Sequence, residues 1–136
     1  MIKIFMGLKG TGKTKALIDQ VNASVSEEHG SVICIEKGDK LRFQISPQAR
    51  LISADEFKIN DYSSFYGFVS GLIAGNYDIT ALYVDSIMKI CGTDDIPAFE
   101  EFIEKLQHII TNHDIKIFIT VSCDVNLATD KIKKYF

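Results

Sequence analysis

Five short apolar runs alternate with helix-patterned segments along this chain, and no other feature limits the fold as strongly. The runs are IKIFM at 2–6, SVICIE at 31–36, the brief ARLISA at 49–54, ITALYVDSI at 79–87 and IKIFITVS at 115–122. Between them, residues 13–29 place Ala16, Leu17, Val21 and Val25 at helical spacing, with Gly30 as a stop. Residues 63–76 put Phe65, Phe68, Val69, Leu72 and Ile73 on one face, with Ser63 or Ser64 as the cap, and residues 97–112 begin with a proline in the first turn. Strands joined by helices imply β-α-β crossovers, so the expected class is α/β, a three-layer α/β/α sandwich around a mainly parallel sheet. SVICIE lacks polar alternation, as a strand buried on both faces does. Residues 37–62 are the least regular part, and 123–136 read as one last short helix or strand. A chain of 136 residues, 46% of them hydrophobic, is expected to build one domain over 1–136 with a proper core.

Charge and cysteine usage narrow the partners. Fifteen basic residues against 18 acidic ones give a net charge of −3, which offers no general attraction for a polyanion, so nucleic acid is not indicated. Lys131, Lys133 and Lys134 read as a solvated tail. Cys34, Cys91 and Cys123 form no C-x-x-C and have no histidine at metal spacing, so three free thiols in a reducing compartment are expected. No apolar run has the length to span a bilayer and no secretory leader pattern precedes IKIFM, which makes a cytoplasmic location, with no membrane, the expectation. His29, His108 and His113 are far apart and read as surface residues.

Directly after the first run comes GLKGTGKT, in which Gly7, Gly12, Lys13 and Thr14 satisfy G-x-x-x-x-G-K-[ST] between an expected strand and an expected helix. Glycines let the backbone curl so that successive N–H groups face inward at phosphate oxygens, and the positive end of the following helix adds to the same spot. The stretch Gly7, Leu8, Lys9, Gly10, Thr11, Gly12, Lys13, Thr14 and Lys15 is therefore the expected nucleotide-binding segment. Lys13 would reach the β- and γ-phosphates, and Thr14 would offer its hydroxyl to Mg²⁺. Asp85, closing ALYVD, is the expected second anchor for the ion, directly or through a water; an ordinary helix cap is the plainer reading. Glu36 ends SVICIE and would emerge at the same sheet edge, where it could orient an attacking water or stand as a solvated strand-end glutamate beside Lys37. Asp94 and Asp95 could sit above the nucleotide or cap the helix at Pro97. Phe65, Tyr66 and Phe68 read as core before they read as a base-stacking surface.

GLKGTGKT, VICIE, ARLISA, a helix and ALYVDSI, taken in that order, resemble the RecA-like ATPase core of RecA-type recombinases, DnaB-type helicases and KaiC-type ATPases. The resemblance covers residues 1–123 in element order and implies P-loop NTPase topology. It makes Glu36 the catalytic general base and Asp85-Ser86 the metal-strand signature, and it places a γ-phosphate sensor at Ser122, with Thr120 the lesser candidate. No glutamine follows the last strand as in recombinases, no further hairpins extend the sheet, and only Arg42 and Arg50 could serve as a trans-acting arginine. DNA recombination is not implied.

The leading functional expectation is Mg-dependent binding and slow hydrolysis of ATP or another nucleoside triphosphate, with Lys13, Glu36 and Ser122 as the catalytic group. Such a site is often completed at a subunit interface, so a homo-oligomer or a protein partner is anticipated. One alternative is a nucleotide-binding switch or assembly subunit without useful hydrolysis, since no glutamate directly follows Asp85. The other is a small-molecule or nucleoside kinase, disfavoured because residues 37–62 show no arginine-rich lid.

Overall fold

A computed structural model describes residues 1–136. Its five strands are β1 (Ile2–Gly7), β2 (Ser31–Glu36), β3 (Arg50–Ser53), β4 (Ile79–Val84) and β5 (Lys116–Ser122). They pair in the order β1-β5-β4-β2-β3, and every pairing is parallel. The carboxyl ends of all five strands therefore meet at one edge, bringing Gly7, Glu36, Ser53, Val84 and Ser122 to the same side of the sheet. In β2, every residue from Val32 to Glu36 is buried, because neighbouring strands flank it and packed layers cover both faces.

Side chains leave each strand in alternating directions and build two separate cores. On one face Val32, Cys34, Ala81 and Tyr83 meet Leu17 and Val21 of α1 (Lys13–Glu27), together with Leu41, Ile45 and Ala49 from the β2–β3 connection. On the other, Ile33, Ile35, Leu82, Val84, Ile117 and Ile119 pack against α2 (Tyr62–Gly75) and α4 (Ile96–Ile110). Phe65 of α2 and Phe102 of α4 pack edge-to-face with centroids 5.6 Å apart, joining those helices over the sheet. The chain is thus α/β, with a parallel sheet and helices on both faces. No helix is long and apolar enough to cross a membrane.

Two local expectations need correction, and the tail takes the helical one of its two readings. The cap of α2 is Asp61, not Ser63 or Ser64: its carboxylate accepts from Ser64 N–H at 2.7 Å, and Ser64 Oγ accepts in return from the main chain of Asp61 at 3.3 Å. The run 79–87 does not continue as a strand. It stops at Val84, turns at Ser86 in the left-handed region (φ 56°, ψ 59°), and continues as the five-residue α3 (Ile87–Cys91). The tail forms a 3₁₀ turn at Val125–Leu127 and the short helix α5 (Asp130–Lys133).

Candidate functional site

α1 is the only one of the three long helices that starts without a side-chain cap. Asp61 and Asp95 cap α2 and α4, whereas α1 begins at Gly12 (φ 84°) with no side-chain acceptor and no acidic residue in its first turn. Its first N–H groups and positive dipole end thus stay available to an anion. Gly10 (φ 86°) and Gly12 both adopt the left-handed conformation that a Cβ makes costly by about 1–2 kcal/mol, which is why glycine stands there.

The loop before α1 closes on one carbonyl. Leu8 O accepts from Thr11 Oγ1 at 2.7 Å, from Thr11 N–H at 3.3 Å and from Lys13 Nζ at 2.8 Å. The Leu8 side chain itself is exposed, while Lys13 is 5% exposed. Burial lowers the Lys13 pKa below the ordinary lysine value, against the opposing pull of the Asp85 carboxylate. Thr14, in the first turn of α1, donates to Asp85 Oδ1 at 3.2 Å and also lies 3.3 Å from Oδ2. Two residues 71 positions apart are brought together because β4 delivers Asp85 to the edge over which α1 begins. The main-chain N–H of Asp85 is held by Ile35 O at 2.9 Å.

Glu36 is not the solvated strand-end residue its neighbour Lys37 suggests. It is 4% exposed, and its two oxygens accept the main-chain N–H groups of Lys40 at 3.0 Å and Leu41 at 3.1 Å. Burial raises its pKa; the two amide bonds oppose that rise, and Asp85 and Asp39 add to it. The next residue, Lys37, pairs with Asp55 at 3.2 Å.

These groups line one cleft of about 890 Å³, together with Lys9, Gly10, Lys15, Gly38, Lys40, Leu41, Ser86, Lys89 and Ser122. Six lysines face three carboxylates there, a local positive excess inside a chain of net charge −3. The negative total had hidden this separation, and only tertiary structure gathers Lys37, Lys40, Asp55 and Lys89 beside the loop. A net positive excess between low-dielectric walls favours an anion there.

Other expected residues fall differently. Ser122 is exposed at the rim of the cleft and pairs in register with Gly7. Thr120 is fully buried and donates to Asp85 Oδ1 at 2.9 Å, so of the two β5 residues it is the one that touches the carboxylate. Asp95 caps α4 and does not line the cleft, and neither does Asp94. Phe65 is core, while Tyr66 and Phe68 pack partly buried against it. His29, His108 and His113 are exposed, and the three cysteines are free and buried.

Thr14 and Asp85 are hard oxygen donors of the kind Mg²⁺ selects. No group of three or more His, Cys, Asp or Glu side chains that could hold a metal occurs in the structure. An ion at Thr14 and Asp85 would complete its shell with phosphate and water, as Mg²⁺ commonly does, and in that sense the residues fit it. No protein-family model matches this chain, and no curated protein matches its sequence.

Proposed function

We propose that the chain is a minimal RecA-like P-loop nucleoside triphosphatase, binding the magnesium complex of ATP or another nucleoside triphosphate in the lysine-rich cleft and hydrolysing it slowly. The observation that carries this reading is the Thr14–Asp85 contact at the uncapped start of α1. It sets a hydroxyl and a carboxylate suited to Mg²⁺ beside the uncapped N–H donors of the first turn of α1, which suit phosphate. The position of β5 between β1 and β4 also supports it, since Thr120 and Ser122 then reach the edge between the glycine loop and Asp85.

In this account the loop amides and the first turn of α1 bind the β- and γ-phosphates, and Lys13 exchanges the Leu8 carbonyl for a phosphate oxygen. Thr14 and Asp85 would hold Mg²⁺ directly or through water, and the ion would supply charge neutralisation at the phosphates. Lys9, Lys40 and Lys89 add positive potential around the phosphates. Glu36 orients the attacking water and takes its proton. Burial makes it a stronger base, while its amide partners hold it in place and draw on that basicity, which keeps turnover slow. Nucleotide binding and phosphate release, measured together on wild type and Glu36→Gln, test the assignment. Release should fall by about 100-fold or more with binding retained; equal release from both chains would remove Glu36 from the reaction.

A second reading is favoured by one observation: both Glu36 oxygens are already engaged by the turn after β2. A carboxylate so committed suits a nucleotide-binding switch or assembly subunit. Wild-type binding with no phosphate release at high protein concentration would select that reading.

A further inference from the structure

Thr120 lies on β5, between the strand that delivers the glycine loop and the strand that leads into Asp85. It is fully buried, and its hydroxyl is used twice: it donates to Asp85 Oδ1 at 2.9 Å and accepts from Ser86 N–H at 2.7 Å. A buried hydroxyl needs partners, but many would satisfy it. Here the two partners are consecutive residues of a turn that the chain resists, because Ser86 carries a Cβ in the left-handed region. The Thr120 hydroxyl therefore fixes the peptide that follows Asp85 and one oxygen of its carboxylate together. Ile35 O holds the Asp85 main chain from β2, and Thr14 meets the carboxylate from α1. Three elements thus hold Asp85, and Thr120 is the only fully buried member of that set to touch the carboxylate.

Resting on the nucleotide reading above, we infer that Thr120 is a positioning residue: it orients Asp85 toward the metal and so sets the Mg²⁺ requirement of nucleotide binding, without contributing to the metal-free affinity. Its two hydrogen bonds fix the hydroxyl, and its β-branched shape fits the sheet. Valine keeps that shape and removes both hydrogen bonds.

The test is ATP binding measured against Mg²⁺ concentration, and again in chelator, for wild type, Thr120→Val and Thr120→Ser. Thr120→Val should need about ten-fold or more Mg²⁺ for half-maximal enhancement, the range seen when outer-shell partners are lost. Its chelator affinity should match wild type, and Thr120→Ser should recover the wild-type requirement. A wild-type Mg²⁺ requirement in Thr120→Val, or an equal loss with and without Mg²⁺, overturns the role of Thr120. Should Thr120→Val fail to fold, Thr120→Cys replaces it, the thiol being a weak donor and acceptor of similar size. An intermediate requirement supports the inference and an unchanged one overturns it. Wild type that binds no ATP under any condition instead sinks the nucleotide reading, and this inference with it.

Discussion

The buried carboxylate of Glu36 accepts the main-chain N–H of Leu41 at 3.1 Å, so the strand end that faces the cleft also holds the turn that walls it. That turn is fastened from its other side as well. Asn22 of α1 donates to Gln44 O at 2.9 Å and accepts from Ser46 N–H at 2.8 Å.

Burial raises the Glu36 pKa above its ordinary value of 4.5, which gives stability a definite pH dependence. Between 4.5 and the raised native value the folded chain binds more protons than the unfolded one, so stability falls as pH rises through that window. Glu36→Gln has no such proton to lose. Urea melts of both chains from acid to neutral pH should show wild type losing ground to the variant as pH rises above 4.5, then running parallel. A flat difference, or a wild type that gains on the variant as pH rises, would contradict the burial assigned to Glu36.

Thr14 and Asp85 touch, and their substitutions should therefore not add. Thr14→Val and Asp85→Asn are each expected to weaken Mg-ATP binding by about ten-fold, and the double variant little more than either alone. Titrations of the four chains give the coupling. Full additivity would mean that the two groups do not act on one ion.

Gly12 stands at φ 84° with open space where a Cβ would project, so alanine there meets only backbone strain. Gly12→Ala should cost about 1–2 kcal/mol of stability in urea unfolding. Gly38 lines the same cleft in open space without a positive φ, and Gly38→Ala should be neutral or slightly stabilising. Equal losses at both positions would refute the conformational explanation.

Burial pushes the Cys34 and Cys91 thiols up to about 12. A disulfide reagent at about pH 8 should modify these two only as fast as the chain opens, and at once in denaturant. Rapid labelling of Cys34 in the native chain would contradict its place beneath α1.

Much of the architecture was legible because its signals are local. SVICIE, ARLISA and IKIFITVS are apolar runs that each follow a polar or glycine residue, and their strands fall within a residue or so of those bounds. α3 was not legible, since IMKIC continues the apolar run of β4 and only the left-handed Ser86 separates them. The α2 cap was misplaced because two serines stand where a cap could stand, while Asp61 just before them makes the stronger bond. At the site, the glycine loop, Glu36 and Asp85 could be named from strand ends. The lysine-rich wall could not, because Lys37, Lys40 and Lys89 come together through topology. Thr120 and Ser122 have the same alternation and the same chemistry in the sequence; only the packing of β4 beside β5 decides which one meets Asp85.

The most direct measurement is a calorimetric titration of wild type and Lys13→Ala with ATP and GTP in the presence of Mg²⁺. Saturable binding of at least one nucleotide, at one site per wild-type chain, is expected, with affinity weakened by about 10- to 100-fold when the Lys13 ammonium is removed. Absence of binding by wild type, or identical affinities for the two chains, would contradict a nucleotide site at the start of α1.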